Sequence, residues 1–174
     1  MNTSGIRLVL FDVDGVLTDG SINIGPDGET LKTFNAKDGV AVALLQKHGI
    51  KVGVISGKES KALDFRIAQL KFDYAITGCD DKLVALHGIM KSANLTLDQI
   101  AFVGDDIIDI SVMKVVKLSI APSDAHKLVI NCAYHVTSAK GGDGVARESA
   151  EFILKKAGLS LTEMYSEMGV SITQ

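Results

Sequence analysis

The sequence contains no tryptophan, and aromatic residues make up only 5% of its 174 positions. Its formal net charge is −3 at pH 7, so basic residues are not in excess either. Proteins that bind nucleic acids combine basic surfaces with aromatic side chains that stack on bases, and proteins that bind anionic membranes also carry basic patches. We therefore expect neither nucleic acid nor a membrane as a partner.

Cysteine is scarce, and long apolar runs are missing. Cys79 and Cys132 are the two cysteines, and they allow at most one disulfide within the chain. The first residues show no secretory pattern, and no apolar run approaches the roughly 20 residues that a membrane-spanning helix needs. These features predict a cytoplasmic protein with reduced thiols.

The composition that remains is typical of a soluble globular protein, with 47% hydrophobic and 22% charged residues. A chain of this length can bury a substantial core. It shows no internal repeat, low-complexity tract or linker. We therefore predict a single domain over residues 1–174, with a flexible C-terminal tail from about residue 160.

Short runs rich in valine and isoleucine alternate with longer segments of helical period. In one such segment, Val40, Ala41, Leu44 and Leu45 recur at helical spacing and form an apolar stripe. The alternation predicts an α/β fold, with a Rossmann-like, mainly parallel sheet and helices on both faces. The predicted strands are 6–11, 51–55, 74–76, 100–103, 118–120 and 134–136, and the predicted helices are 37–48, 59–69, 82–94, 106–114, 124–130 and 144–157.

One segment breaks this alternation. Gly25-Pro26-Asp27-Gly28 is a strong turn signal between the extended segments 21–24 and 29–34. It predicts a β-hairpin flap that follows the first strand.

The first strand ends in Asp12-Val13-Asp14-Gly15. Residues two apart on a strand point the same way, so both carboxylates can act on one substrate. Because two such acids repel each other, the pair favours a cation or a shared proton between them. Asp12 suits a nucleophile that attacks phosphorus, and Asp14 suits an acid and base for the leaving oxygen and for water. The alternative is a pair of solvated turn carboxylates.

Two later segments could hold a phosphate. Ser56-Gly57 follows the second strand, where a hydroxyl and free backbone N–H groups can cradle an anion. Ser56 could instead cap the helix that follows. Lys82 begins a helical segment and could neutralise both the phosphate and the crowded acids, although a surface lysine is the commoner explanation of any single lysine.

A second acidic group follows the strand at 100–103. Asp105, Asp106 and Asp109 provide hard oxygen ligands, which favour Mg²⁺, and an N-cap role for Asp105 or Asp106 is compatible with that. Ligands of parallel α/β sheets bind outside the carboxyl ends of the strands. These residues are therefore expected to share one active site with Asp12 and Ser56.

In this order, Asp12-x-Asp14, Ser56, Lys82 and Gly104-Asp105-Asp106 with Asp109 resemble the four motifs of the haloacid dehalogenase superfamily of phosphotransferases. The resemblance covers nearly the whole chain, and aspartate at the second position resembles the phosphatase and phosphomutase branch. Further segments are similar to capless members that act on 3-deoxy-D-manno-octulosonate 8-phosphate, a precursor of bacterial lipopolysaccharide. These segments are Phe34-Asn35, Asp38-Gly39, Asp124-Ala125-His126, Gly141-Gly142-x-Gly144 and Arg147-Glu148.

The resemblance implies a role for each motif residue. Mg²⁺ would bind the carboxylates of Asp12 and Asp105 and the backbone carbonyl of Asp14, with Asp106 and Asp109 supporting the site from behind. The phosphate would bind Ser56, Gly57 and Lys82. Candidates for contact with the sugar acid are Lys58, Arg66 and Arg147. The resemblance also implies a homotetramer without a cap domain, in which neighbouring subunits cover the active site.

Three alternatives remain open. A phosphatase for a nine-carbon keto-deoxy sugar acid 9-phosphate would share this chemistry. A signalling receiver domain also combines acids, Mg²⁺ and a lysine, but its motifs come in another order along the chain. A non-catalytic oligomerisation or regulatory domain of the same fold is disfavoured, because it would have no use for a costly cluster of like charges.

Overall fold

The computed structural model describes residues 5–26 and 28–169. The strands are β1 (Leu8–Phe11), β2 (Asn23–Gly25), β3 (Gly28–Leu31), β4 (Lys51–Ile55), β5 (Tyr74–Ile76), β6 (Ile100–Val103), β7 (Leu118–Ala121) and β8 (His135–Val136). The helices are α1 (Ala36–Lys47), α2 (Lys61–Leu70), α3 (Lys82–Ala93), α4 (Ile110–Met113), α5 (Lys127–Cys132), α6 (Val145–Lys156) and α7 (Leu161–Ser166).

Six strands form one parallel sheet in the order β5-β4-β1-β6-β7-β8. The predicted Rossmann-like, mainly parallel α/β fold is thereby confirmed. β1 lies between β4 and β6, and Phe11 at its end pairs with Val54 and Val103. The loops that follow these three strands therefore leave the same edge of the sheet. These loops carry Asp12 with Asp14, Ser56 with Gly57, and Asp105 with Asp106.

The core is divided by the sheet into two layers, as a period of two along each strand requires. Val9 and Phe11 face the layer formed with α1, α2, α6 and α7, whereas Leu8 and Leu10 face the layer formed with α3, α4 and α5. All four residues of β1 are fully buried. Strands covered by helices on both faces have the near-continuous apolar runs from which they were predicted.

The predicted element ends are mostly within two residues of the observed ones, but two helices differ more. The predicted helix 106–114 is wrong as a single element, because residues 107–109 form a 3-10 turn before the short helix α4. There Asp106 accepts a hydrogen bond from the Ile107 N–H at 2.7 Å, which begins the turn. The predicted helix 124–130 begins only at Lys127, because the His126 side chain caps it by accepting from the Leu128 N–H.

The predicted hairpin is present as β2 and β3, which pair in an antiparallel two-stranded sheet of their own. In the described part of the segment between β1 and α1, this hairpin is the only sheet structure. Ile24 and Leu31 on it are 71% and 57% exposed, so an apolar surface of the hairpin is open in the single chain. We call residues 21–32, without the undescribed residue 27, the flap.

The C-terminal part contains a short helix, α7, and Met164 on it is buried against the main core. The tail predicted from about residue 160 lies partly outside the described residues, since residues 170–174 are not among them. Throughout residues 5–26 and 28–169, the structure contains no helix with the length and apolar character needed to cross a membrane. Cys79 and Cys132 are both free thiols.

A glycine pair packs the loop before α6 against the loop that follows β1. A Cβ atom added to Gly141 would lie 2.2 Å from the backbone oxygen of Gly15, and one added to Gly142 would lie 2.6 Å from the backbone nitrogen of Asp19. Backbone atoms cannot yield as a flexible side chain can, so neither position has room for a larger residue. Close backbone approach is therefore the physical reason for Gly141 and Gly142.

We predict that Gly141→Ala lowers the free energy of unfolding by about 1–3 kcal/mol, because the added methyl group forces two backbone segments apart. Urea unfolding followed by circular dichroism measures this. Gly88→Ala is the matched control: Gly88 lies in α3 with no atom near the added Cβ, so the change is expected to stabilise by up to about 1 kcal/mol. An unchanged unfolding midpoint for Gly141→Ala would contradict the close packing.

Candidate active site

A cleft of about 440 Å³ lies at the carboxyl edge of the sheet. The predicted motif residues come together there from the loops after β1, β4 and β6, from the start of α3 and from the base of the flap. The cleft is lined by Asp12, Asp14, Gly20, Ile22, Ser56, Gly57, Lys58, Lys82, Asp105, Asp106 and Ile108.

Lys82 joins the first acidic motif to the second. Its Nζ atom lies 2.7 Å from Oδ1 of Asp12 and 2.7 Å from Oδ1 of Asp109. The lysine side chain is 4% exposed and that of Asp109 is not exposed at all, so the three charges interact with little solvent screening. The helix α3 that positions Lys82 begins at this residue, with Asp81 as its N-cap.

Asp109 uses both carboxylate oxygens within the protein. Oδ1 binds Lys82, and Oδ2 accepts hydrogen bonds from the backbone N–H groups of Asp105 and Asp106, at 3.0 and 3.3 Å. A Cβ atom on Gly104 would lie 2.6 Å from the Asp109 carboxylate, so glycine is what admits this group to the loop. Asp109 therefore connects Lys82 to the backbone of the loop that carries Asp105 and Asp106.

Asp105 completes a cluster of three carboxylates. One oxygen from each of Asp12, Asp105 and Asp109 lies within 4.8 Å of the others. Oδ1 of Asp105 is buried and has no hydrogen-bond partner, which is costly unless something absent from the protein itself binds it. A buried, unpaired carboxylate oxygen among other oxygen ligands is the donor set that a divalent cation such as Mg²⁺ prefers. The residues therefore fit a metal ion.

Burial and mutual repulsion change the proton affinity of this cluster. Burial, followed by the charge of Asp109, raises the pKa of Asp12 to about 6 even though Lys82 opposes the change. Burial, followed by the charges of Asp12 and Asp109, raises the pKa of Asp105 to about 8. Burial alone would lower the pKa of Lys82, but Asp12 and Asp109 outweigh it and raise that pKa, so the lysine is charged.

Asp14 lies beside this cluster and has a partner that the sequence did not reveal. Nζ of Lys32 lies 2.5 Å from Oδ1 of Asp14 and 2.9 Å from Oε1 of Glu29. The Lys32 side chain is only 1% exposed, although no motif includes this residue. A single lysine at the end of a predicted hairpin is common in sequences, so no local signal distinguishes Lys32.

Ser56 directly follows β4, and the alternative that it caps the next helix is wrong. Ser56 and Gly57 line the cleft. The N-cap of α2 is Ser60, whose side chain accepts from the Leu63 N–H, so Ser56 does not cap that helix. Asp106 does cap the turn after β6, as the sequence allowed, and it also lines the cleft.

Of the three candidates for contact with a sugar acid, only Lys58 lines the cleft. Arg66 donates to the Asn35 carbonyl and to Gln69, on a different part of the surface. Arg147 is bound to Glu151 and to the Tyr165 hydroxyl. The described residues of one chain therefore do not bring either arginine to the carboxylates.

Comparison with known proteins agrees with this geometry. Residues 75–148 match the model of the haloacid dehalogenase-like hydrolase family. A 3-deoxy-D-manno-octulosonate 8-phosphate phosphatase of Yersinia pestis is 40% identical over 169 residues, which are 97% of this chain and 88% of that protein.

Solved structures of similar proteins contain metal ions. The cobalt-bound deoxy-D-mannose-octulosonate 8-phosphate phosphatase of Haemophilus influenzae matches with a TM-score of 0.87 and 37% identity, over 91% of this chain and 92% of that one. The 3-deoxy-D-manno-octulosonate 8-phosphate phosphatase of Moraxella catarrhalis, in complex with magnesium, phosphate and KDO, matches with a TM-score of 0.85 and 33% identity, over 89% of each chain.

The raised carboxyl pKa values predict how metal and pH act together on stability. When the pKa of a carboxyl group in the folded protein lies above the ordinary 3.8, the folded protein keeps a proton at pH values between the two pKa values, where the unfolded chain has lost it. Stability without metal should therefore fall as the pH rises from about 4 towards about 8, and the rise in melting temperature on adding Mg²⁺ should grow over this range. Differential scanning fluorimetry with Mg²⁺ or with EDTA measures this.

Two controls isolate the cluster. Burial also raises the pKa of Asp38 to about 6, but Asp38 lies outside the cluster, so its contribution cancels in the difference between the two conditions. Asp105→Asn should remove most of the Mg²⁺-induced rise. A rise that is equal at low and high pH, or that persists in Asp105→Asn, would show that the metal does not bind here.

Proposed function

The chain belongs to the haloacid dehalogenase-like hydrolases, within the family of the 3-deoxy-D-manno-octulosonate 8-phosphate phosphatases, and on this basis we propose that it hydrolyses that sugar-acid phosphate to KDO and phosphate. It is a phosphoric monoester hydrolase that acts through an aspartyl-phosphate intermediate. The observation that carries the proposal is the carboxylate cluster of Asp12, Asp105 and Asp109, which Lys82 bridges and which leaves one buried oxygen of Asp105 unpaired.

In the first step, an oxygen of Asp12 attacks phosphorus while the bond from phosphorus to the sugar oxygen breaks. The electron pair of that bond stays on the sugar oxygen, which takes a proton from Asp14. Lys82 holds the other carboxylate oxygen of Asp12 at 2.7 Å and thereby orients the nucleophile. Ser56, Gly57 and the Lys82 ammonium surround the phosphoryl oxygens in the cleft.

In the second step, Asp14 is ionised and takes a proton from a water molecule as that water attacks phosphorus. The bond between phosphorus and Asp12 breaks, and its electron pair restores the Asp12 carboxylate. Phosphate leaves, and Asp14 is protonated again for the next turnover. Asp14 therefore serves as the acid in the first step and as the base in the second. It lines the cleft, where it can reach the substrate, and it is not one of the three clustered carboxylates.

The carboxylate oxygens fit Mg²⁺, which Asp12 and Asp105 would hold through their side chains and Asp14 through its backbone carbonyl. When bound, Mg²⁺ neutralises the acids and the phosphoryl oxygens as charge builds up on them. Asp109 cannot readily join as a ligand, because Lys82 and two backbone N–H groups already occupy its oxygens. Its role is to hold Lys82 and the loop of Asp105 in place.

The remaining features of the proposal concern the substrate and the assembly. Lys58 at the cleft is the candidate for the substrate carboxylate, and Arg66 and Arg147 would need a neighbouring subunit to take part. The exposed Ile24 and Leu31 of the flap are the kind of surface that such a subunit covers. We propose a cytoplasmic homotetramer that supplies KDO for lipopolysaccharide precursors.

Phosphate release from a panel of sugar phosphates tests the function. The panel contains KDO 8-phosphate and its nine-carbon analogue, each with Mg²⁺ or with EDTA. We expect Mg²⁺-dependent hydrolysis with a preference for KDO 8-phosphate. Asp12→Asn should remove it, because an amide cannot serve as the nucleophile, whereas Asp64→Asn on the exposed surface of α2 should leave the rate unchanged.

The other outcomes are equally informative. A preference for the nine-carbon compound would keep the mechanism and replace the substrate. The absence of hydrolysis of every member by folded, Mg²⁺-loaded protein would contradict the proposed enzyme and favour a non-catalytic domain of the same fold.

A further inference from the structure

Lys32 occupies an unusual environment that the catalytic steps above do not use. It directly follows β3 at the base of the flap, and its side chain is 1% exposed. Burying a lysine is costly unless its charge is compensated, and here two carboxylates compensate it. Asp14 and Glu29 lie on either side of its Nζ atom, at 2.5 and 2.9 Å.

The contact with Asp14 restrains the carboxyl group that transfers protons. Lys32 donates to Oδ1 of Asp14, and the Thr18 hydroxyl lies at 3.5 Å from the same oxygen. Lys32 thus holds one oxygen of the carboxyl group, which restrains its orientation and leaves Oδ2 for the proton that passes to and from the substrate. Proton transfer needs donor and acceptor within hydrogen-bond reach, so this restraint bears directly on the rate.

The contact with Glu29 anchors the lysine to the flap. Glu29 lies in β3, three residues before Lys32, and its side chain is only 13% exposed. Glu29 and Lys32 therefore both belong to the flap, whereas Asp14 belongs to the loop after β1. The ion pair between Lys32 and Asp14 is thus a direct mechanical link between the flap and the acid/base.

We propose that Lys32, held by Glu29, is a positioning residue that sets the orientation of Asp14 for proton transfer to the leaving oxygen. This proposal rests on the proposed function, since it presumes that Asp14 is the acid. It differs from a purely structural role in one measurable way. Protonation of the leaving oxygen matters for an alkyl leaving group, which departs poorly as an anion, and matters little for p-nitrophenolate, which departs readily.

The test compares Lys32→Met with wild type on two substrates: the sugar phosphate that wild type hydrolyses best, and p-nitrophenyl phosphate. We expect kcat/KM, which reports phosphoryl transfer to Asp12 and not the later hydrolysis of the intermediate, to fall by about 30- to 100-fold for the sugar phosphate and by less than about fivefold for p-nitrophenyl phosphate. Because Asp14 is also the base of the second step, kcat for the sugar phosphate should fall as well. Lys32→Arg keeps the charge and should recover much of the lost rate.

Lys37→Met is the matched control. Lys37 is also a lysine paired with an acid, Asp143, but its side chain is 62% exposed and lies outside the cleft. This variant should leave kcat for both substrates unchanged. Glu29→Gln retains Lys32 but removes the charge that holds its ammonium group. We therefore expect a smaller loss of activity, again larger for the sugar phosphate than for p-nitrophenyl phosphate.

Several results would overturn the proposal. Equal losses of kcat/KM on both substrates would assign Lys32 a structural role, and a raised KM with unchanged kcat would assign it to substrate binding. If Lys32→Met does not fold, as judged by circular dichroism, Glu29→Gln decides between the same outcomes. If the wild-type protein hydrolyses neither substrate, the proposed function is contradicted. If the wild type is active but the variants show no selective loss on the sugar phosphate, only the role of Lys32 is contradicted.

Discussion

The organisation of this protein depends on one electrostatic constraint: three carboxylates and a lysine share a small, nearly dry volume at the edge of the sheet. Oxygens of Asp12, Asp105 and Asp109 lie within 4.8 Å of one another, and Lys82 can compensate only part of their charge. Burial and this repulsion raise the pKa of Asp12 to about 6 and that of Asp105 to about 8. A divalent cation bound here would offset the repulsion and favour the ionised form of both carboxylates.

The fold serves this constraint. The parallel order β4-β1-β6 brings three loops to one edge, and α3 adds Lys82 from the side. Glycines allow the approach: a Cβ atom on Gly15 would lie 2.0 Å from the Asp105 carboxylate, and Gly15 has a φ of +89°, which other residues rarely adopt. Gly141 packs against the backbone of Gly15 in the same loop. The glycines and the acids of the motifs are therefore parts of one packing arrangement.

Much of this arrangement could be predicted from the sequence, because the determining signals are local. A buried strand reads as an apolar run, and a catalytic motif directly after it inherits its position from the strand. The predicted bounds of β4 and β6 agree with the structure for this reason. The helix predicted at 106–114 was wrong because Asp109 turns inwards to Lys82, a tertiary interaction that local periodicity does not reveal.

The pairing of Lys32 with Asp14 was not predictable for the same physical reason. The two residues are 18 positions apart, and their contact depends on how the flap folds back on the loop after β1. Likewise, the positions of Arg66 and Arg147 away from the cleft could not be predicted, because they depend on tertiary contacts of their helices. Residues whose role depends on a strand end could be placed in advance, whereas those that depend on the docking of one segment on another could not.

Covalent trapping of the intermediate tests directly whether Asp12 is the nucleophile. The protein is mixed with Mg²⁺ and KDO 8-phosphate, quenched in acid during turnover, digested and analysed by mass spectrometry. We predict a phosphoryl group on the Asp12 carboxylate. Asp14→Asn should retain more of this intermediate, because the variant lacks the base that activates water in the second step. A phosphoryl group on another residue, or turnover in which no phosphorylated peptide forms in either protein, would contradict this prediction.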